Sequence, residues 1–249
     1  MPKAAPQAGV RRALNRKQLV IFYQPIHELE SRNIVAVEAL LRARRRSGEI
    51  RSAVRIAAGA DEGPQMFRLD SWMIQQVRRD AERWEGVRLN VNLSPREFEE
   101  GSLYQRLKKL GNVTHFNLEI TETSYIRKPE QIGRVLDHIR KLGVQLWLDD
   151  FGSGHSSLTH LLYFDVDGVK IPKTFIKGVE SSERSRAITR SIISLAHDLG
   201  LAVIAEGVEN DAQLAFLRDL RCEYIQGFLF SEPMPAEEFD SVLGLSSTQ

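Results

Sequence analysis

The chain has 249 residues, of which 42% are hydrophobic and 27% are charged, and its 34 basic and 33 acidic residues leave a formal net charge of +1. These proportions are ordinary for a globular protein, so they exclude a disordered tail, a collagen-like repeat and a coiled coil. The balanced charge argues against a nucleic-acid polymer as a partner, and the single cysteine, Cys222, excludes an intrachain disulfide and a thiolate zinc site.

The N-terminal residues predict neither an export signal nor a membrane anchor. Met1 to Gln18 is basic and Ala-rich, without the apolar core of about 7–15 residues that a signal peptide needs. No apolar run in the sequence approaches the roughly 20 residues that span a bilayer. We expect a flexible leader at residues 1–10, a single domain over residues 11–245, a cytoplasmic location and no membrane contact.

Eight short apolar runs follow at fairly regular intervals. Several are near-continuous and rich in β-branched or aromatic residues, which is typical of strands buried on both faces. The predicted strands are Val20–Tyr23, Ile34–Leu41, Val87–Leu93, Phe116–Ile120, Val144–Leu148, Gly168–Ile171, Ala202–Ala205 and Tyr224–Phe228.

Segments with helical periodicity lie between these runs, for example over Ile132–Leu142 and Ile188–Leu199. Strands that alternate with helices form parallel βα units, and eight of them match a (β/α)8 barrel of roughly 250 residues. The first two runs are joined by about ten residues without a helix, which favours an antiparallel hairpin. We therefore predict an α/β fold, a modified (β/α)8 TIM-type barrel with an antiparallel first strand. A doubly wound open sheet is the alternative.

Polar side chains occur at the carboxyl ends of almost all the predicted strands. In a barrel these ends meet at one rim, which carries the active site. The residues are Glu38, Asn92, Glu119, Glu122, Asp149, Asp150, Lys170, Glu206, Glu209 and Gln226.

So many carboxylates on one rim repel one another unless a cation neutralises them. Ligands that are all oxygen atoms favour Mg²⁺ or Mn²⁺ over Zn²⁺. The neighbouring Asp149 and Asp150 suggest two ions, and a pair roughly 3.5–4 Å apart suits in-line displacement at phosphorus. Lys170 would then stabilise charge on the phosphoryl oxygens or the attacking water. This pattern predicts a metal-dependent hydrolase on a barrel, without naming its substrate.

Eight strings in the sequence resemble the EAL-domain family of cyclic di-GMP phosphodiesterases. The resemblance extends from about Leu14 to Leu243, nearly the whole chain. The strings are YQPI (Tyr23–Ile26), EALLR (Glu38–Arg42), VNLS (Val91–Ser94), LEITET (Leu118–Thr123), LDDFGSGHSSL (Leu148–Leu158), DGVKI (Asp167–Ile171), AEGVE (Ala205–Glu209) and QGFLFSEP (Gln226–Pro233).

The resemblance implies hydrolysis of one phosphodiester of cyclic di-GMP to linear pGpG, with two Mg²⁺ or Mn²⁺ ions, in a homodimer. It implies catalytic roles for Lys170, Asp150 and Glu206, with Lys170 orienting the nucleophilic water and Glu206 assisting as base. The metal shell it implies is Glu38, Asn92, Glu119, Asp149, Asp150 and Glu206.

Contacts with the nucleotide are implied at further positions. Arg42 suits a phosphate because a guanidinium pairs with two of its oxygens. Glu122 and Glu209 are similar to residues that support loops near the site. The substrate-binding positions are Gln24, Leu41, Arg42, Glu209 and Gln226.

Two alternatives remain open, and several positions that depart from the family pattern favour the first of them. One alternative is a silent receptor that binds cyclic di-GMP and acts through a partner protein, and the other is a barrel metallohydrolase for another phosphodiester. The sharpest departure is Pro172, where the family has Asp two residues after the lysine. The others are Ala43–Arg46, the pair Gly59 and Ala60, and His155.

Overall fold

The computed structural model of the chain describes residues 18–45, 47–53, 64–93, 102–121, 129–153 and 157–245. Its strands are β1 (Leu19–Glu28), β2 (Ile34–Arg44), β3 (Ile50–Ser52), β4 (Arg88–Leu93), β5 (Phe116–Thr121), β6 (Gln145–Asp149), β7 (Gly168–Ile171), β8 (Ala202–Glu206), β9 (Tyr224–Gln226) and β10 (Met234–Pro235). Its helices are α1 (Pro64–Ala81), α2 (Ser102–Leu110), α3 (Pro129–Arg140), α4 (Ser157–Tyr163), α5 (Lys173–Ile176), α6 (Glu183–Asp198), α7 (Asp211–Asp219) and α8 (Ala236–Val242).

The chain divides into two compact units. The first comprises Met1–Gln24, Ala39–Glu85 and Pro233–Gln249, and the second comprises Pro25–Glu38 and Gly86–Glu232. The expected leader at residues 1–10 lies outside the described residues. No helix within the described ranges has both the length and the apolar character needed to cross a membrane.

Segments of eight strands in the second unit form a closed barrel. Strands β4 to β9 are parallel neighbours in chain order. The end of β1 pairs antiparallel with β9, where His27 lies opposite Ile225. The ring closes because β1 also pairs with β2, and β2 lies beside β4. The predicted barrel with an antiparallel first strand is confirmed, and the open-sheet alternative is wrong.

One part of the barrel interior is an apolar cluster. Ile26, Ala36, Trp147 and Ile204 bury one another there. Gly168 makes room for the indole, since a Cβ on this residue would lie 2.4 Å from a ring carbon of Trp147. The identity of one glycine thus determines how the barrel interior is filled.

The first unit is held together by aromatic and hydrogen-bonded contacts around Trp84. Its ring meets those of Tyr23 and Phe239 edge-to-face, with centroids 4.6 and 4.8 Å apart. The Trp84 indole N–H donates to Asp240 Oδ1 at 2.6 Å. The Tyr23 hydroxyl donates to Asp80 Oδ2 on α1 at 2.5 Å. Every polar atom on these rings therefore has a partner, as burial requires.

Several details of the strands differ from the sequence prediction. Strand β1 continues to Glu28, past the predicted end at Tyr23, and β2 continues to Arg44, past the predicted end at Leu41. The short strands β3 and β10 lie outside the eight predicted runs, because two or three residues give no readable alternation. The last barrel strand ends at Gln226, two residues before the predicted end. A Cβ on Gly227 would lie 2.1 Å from the Val208 carbonyl oxygen, so the chain passes too close to its neighbour to continue as a strand with side chains.

Candidate active site

Lys170, near the end of β7, is the centre of a buried cluster in the second unit. Its side chain is fully buried, and four carboxylates from four other strands surround its ammonium group. The distances from Nζ are 2.7 Å to Glu206 Oε1, 2.8 Å to Glu119 Oε1, 3.1 Å to Glu38 Oε2 and 3.6 Å to Asp149 Oδ1. The structure thus brings these five of the predicted strand-end residues together, while their roles remain a prediction.

Two side-chain amides complete the surroundings of Glu38. Gln226 donates through Nε2 to Glu38 Oε2 at 2.8 Å, and Asn92 donates through Nδ2 to Glu38 Oε1 at 2.8 Å. Both carboxylate oxygens of Glu38 are therefore hydrogen-bonded, which fixes the orientation of this acid in the cluster.

Burial and charge shift the acidities of the cluster in different directions. Burial alone lowers the pKa of Lys170, but the carboxylates, Asp149 first, raise it well above its ordinary value. Burial tends to raise the pKa of Glu38, but Lys170 holds it below its ordinary value. Burial raises the pKa of Glu119 well above its ordinary value, and raises that of Glu206 to about 7 against the opposing effect of Lys170.

A chain of buried amides extends behind Glu119. Asn90 Nδ2 donates to Glu119 Oε1 at 2.7 Å, and Asn117 Nδ2 donates to Asn90 Oδ1 at 2.8 Å. Arg88 Nε donates to Asn117 Oδ1 at 2.6 Å. None of these three residues is among the predicted site residues, although the alternation of Arg88, Asn90 and Asn92 along an otherwise apolar strand is a readable signal.

The turn after β6 brings two acidic residues together with Glu206. Asp150 has a left-handed backbone, with φ of 56°, which is uncommon outside glycine and tolerated by aspartate. Its N–H donates to Asp149 Oδ1 at 2.9 Å. Asp149, Asp150 and Glu206 each offer an oxygen within 4.8 Å of the other two, close enough to hold one cation.

Glu209 lies in the exposed loop after β8, outside the buried cluster. Its carboxylate forms an ion pair with Lys173, and its backbone N–H donates to Gln213 Oε1 at 2.7 Å. These contacts fix the loop beside the strand that carries Glu206.

Three expected substrate-binding residues lie in the first unit. Gln24 is buried on β1, while Leu41 and Arg42 are partly buried on β2. Arg42 lies opposite Ser52 of β3. Their contacts with a nucleotide remain a prediction, as does the loop role of Glu122, which lies outside the described residues.

Some of the positions that depart from the family pattern lie within the described residues. Pro172 precedes α5 as its N-cap, with φ of −68° and ψ of 151°, and provides no side-chain hydrogen bond to the helix. Ala43 lies opposite Arg51 at the end of β2. His155 and the pair Gly59 and Ala60 lie outside the described residues.

Comparisons with known proteins agree with this architecture. The family model for the EAL domain matches residues 7–233. Cyclic di-GMP phosphodiesterase NbdA of Pseudomonas aeruginosa is 35% identical over 244 residues, which cover 94% of this chain and 31% of NbdA. The chain spans about a third of the length of the curated relatives that it matches first.

Solved structures are similar over nearly the same extent. The PaMucR phosphodiesterase in complex with c-di-GMP has a TM-score of 0.86 and 31% identity, covering 94% of this chain and 99% of that one. The manganese and cyclic di-GMP complex of Klebsiella pneumoniae BlrP1 has a TM-score of 0.75 and 29% identity, covering 87% of this chain and 56% of that one. This chain belongs to the EAL domain family.

Proposed function

We propose that this chain hydrolyses one phosphodiester bond of cyclic di-GMP to give linear pGpG, with Mg²⁺ or Mn²⁺ as cofactor. The observation that carries the proposal is the cluster of four carboxylates around Lys170 at the rim of an EAL-domain barrel. Relatives with this domain include proteins named cyclic di-GMP phosphodiesterases.

The residues present fit a divalent cation. Four carboxylates face one ammonium group, so the fully ionised cluster carries an excess of negative charge. Glu119 Oε2 is buried without a hydrogen-bond partner among the described residues, so it is available as a ligand. The remaining donors are oxygen atoms as well, which suits Mg²⁺ or Mn²⁺.

Two ions would be held by the predicted set of Glu38, Asn92, Glu119, Asp149, Asp150 and Glu206. When bound, such ions lower the pKa of a water molecule and neutralise charge on the phosphate.

The side chains of the cluster have different roles in the hydrolysis. Lys170 stays protonated because its pKa is raised, so it acts as a fixed cation that orients the attacking water and stabilises negative charge on the phosphoryl group. Glu206, with a pKa raised to about 7, is suited to accept the proton that this water loses. Asp150 supports the same reaction from the left-handed turn after β6.

Binding of the nucleotide is assigned to Gln24, Leu41, Arg42, Glu209 and Gln226. Arg42 pairs with a phosphate through its guanidinium. Gln226 lies at the rim of the barrel, where its side-chain amide donates a hydrogen bond to Glu38. Glu122 supports a neighbouring loop, and the homodimer implied by the family resemblance remains a prediction.

The competing proposal is a receptor that binds cyclic di-GMP without cleaving it. Pro172 favours it, since a carboxylate of the family pattern is absent two residues after Lys170. The purified chain is incubated with cyclic di-GMP and Mn²⁺, and pGpG is measured by chromatography. We expect pGpG to form, to disappear with excess chelator and to return with Mg²⁺ or Mn²⁺.

Calcium provides a further control, because it tolerates looser coordination and should support binding better than turnover. Undiminished hydrolysis in excess chelator would contradict the cation's role. Binding of cyclic di-GMP without any pGpG would favour the receptor.

A further inference from the structure

The interior of this barrel contains two buried asparagines where apolar side chains are usual. Asn90 is fully buried and Asn117 is nearly so, and they lie opposite each other on β4 and β5. Barrel interiors are normally filled by bulky aliphatic side chains, and a buried amide is costly unless its hydrogen bonds are satisfied. The position of these amides therefore calls for a physical reason.

The hydrogen bonds of the two amides run in one direction. A guanidinium only donates hydrogen bonds, so Arg88 fixes the direction of the series from its own end. Arg88 at one end requires the oxygen of Asn117 to face it, so the Asn117 NH₂ faces Asn90 Oδ1. Asn90 must then present its own NH₂ to Glu119 Oε1, because the opposite orientation would place two oxygen acceptors together.

Arg88, at the start of this series of hydrogen bonds, is itself held in place. Its Nη2 donates to the Phe116 carbonyl oxygen at 3.2 Å, while Nε reaches Asn117. A cation at one end and a carboxylate at the other polarise the amides between them, which strengthens each hydrogen bond.

The series of hydrogen-bonded amides ends at Glu119 and determines which of its carboxylate oxygens is left to bind a cation. Oε1 accepts from Asn90 at 2.7 Å and lies 2.8 Å from Lys170 Nζ. Oε2 is buried and has no hydrogen-bond partner among the described residues. One oxygen is thus doubly held, and the other is presented as a fixed ligand atom.

We propose that Asn90, oriented by Asn117 and Arg88, is a positioning residue that holds Glu119 Oε1 so that Oε2 is presented to a divalent cation. The inference rests on the proposed function, since it requires a cation at Glu119. Partners of this kind, which orient a metal ligand without touching the metal, typically change metal affinity about 10–100-fold.

The test measures Mn²⁺ affinity of the full, cation-stripped chain by isothermal titration calorimetry without nucleotide. We expect Asn90→Leu to bind Mn²⁺ at least about 10-fold more weakly than the parent. In a Glu119→Gln background the same substitution should cause no further loss, because Asn90 acts only through that carboxylate.

Variants of Arg88 test the other end of the series of hydrogen-bonded amides. Arg88 is only partly buried, so we expect the fold to tolerate its substitution. Arg88→Met should weaken Mn²⁺ binding less than Asn90→Leu, and Arg88→Lys, which keeps a donor, should recover part of the loss. Ile204→Val is the matched control, since it loosens the barrel interior without touching the amides and should keep the parental affinity.

Parental Mn²⁺ affinity in folded Asn90→Leu would overturn the inference. If that variant does not fold, parental affinity in Arg88→Met would overturn it instead. A parent that binds no Mn²⁺ contradicts the cation-dependent function and this inference together. A parent that binds Mn²⁺ but forms no pGpG contradicts only the proposed hydrolysis.

Discussion

The barrel interior has two regions that are filled by opposite means. The apolar cluster of Ile26, Ala36, Trp147 and Ile204 is built from side chains that gain free energy by leaving water. The cluster around Lys170 consists of charges whose removal from water is costly. The same eight strands carry both regions, yet only the first stabilises the fold by simple burial.

The contrast indicates where stability and chemistry are separated in this chain. Carboxylates that were present only for stability would be paired one to one with cations, whereas here several share Lys170. Such an arrangement is retained at a cost and typically marks a functional site. The apolar cluster and its neighbouring strands offset that cost.

Removing Lys170 should have the largest effect. In Lys170→Met the carboxylates lose their only close cation among the described residues, and an unpaired buried charge costs about 3–5 kcal/mol. We expect the free energy of unfolding without cations, measured by urea denaturation, to fall by that amount and pGpG formation to fall at least about 10²-fold.

Lys173→Met is the matched control, because its ion pair with Glu209 is half-exposed and is worth about 1 kcal/mol at most. Equal losses of stability in the two variants would contradict the distinction between the buried cluster and an ordinary surface pair.

Asp149→Asn tests the charge of the cluster rather than its packing. The amide has the same shape, so the fold should persist while kcat falls at least about 10²-fold. Glu38→Ala should lower kcat as severely, since Glu38 is the acid held by two amides. Asp165→Asn, at an exposed ion pair with Arg140, should keep the parental kcat. Near-parental turnover in either cluster variant would show that the residue is not part of the metal shell.

Much of this site could be predicted because strand ends are readable. Apolar runs end where the polar residues begin, and a barrel brings those ends to one rim. The antiparallel first strand was predictable as well, since the link to the second strand is too short for a helix. What the sequence could not show is that Lys170 contacts Glu38, 132 residues away in the chain.

The pairing of Asn90 with Asn117 was beyond prediction for a different reason. Asparagine in a strand pattern usually indicates an edge or a turn. Only the pairing of these two residues across β4 and β5 shows that each satisfies the other inside the barrel. The alternation along one strand indicates which side chains share a face, but the residue opposite Asn90 is known only from the pairing of the folded strands.

Overpacking the apolar cluster should lower the stability of the fold by a smaller amount and affect kcat less than the cluster variants do. A Cβ in Gly168→Ala would lie 2.4 Å from a Trp147 ring carbon and 2.7 Å from the Ala202 carbonyl oxygen, so the interior must shift at a cost of about 1–3 kcal/mol. Thermal and urea unfolding should show this loss, with a smaller change in kcat than in Asp149→Asn. Adding Trp147→Phe should relieve part of it, and strictly additive losses would contradict a direct clash.

The smallest expected effect concerns Pro172, which links the end of β7 to α5. Its φ of −68° suits proline, and the side chain gives the helix no capping hydrogen bond. In Pro172→Asp a carboxylate cap contributes about 1 kcal/mol, while the lost rigidity of the unfolded chain offsets about 0.4–1 kcal/mol. The stability of the two forms should therefore be nearly equal, which leaves the rate as the informative measurement.

If a carboxylate at this position steadies Lys170, Pro172→Asp should raise kcat a few-fold, about 1 kcal/mol or less of transition-state stabilisation, with little change in KM. Pro172→Asn is the matched control, because it caps the helix equally well without a charge. A higher kcat in the Asp variant alone indicates that the charge acts on Lys170, whereas an equal rise in both variants indicates that the cap does. A kcat of Pro172→Asp equal to or below that of the parent, with an unchanged circular dichroism spectrum, would show that proline is a neutral replacement. The cluster around Lys170 would then be complete without a carboxylate at the start of α5.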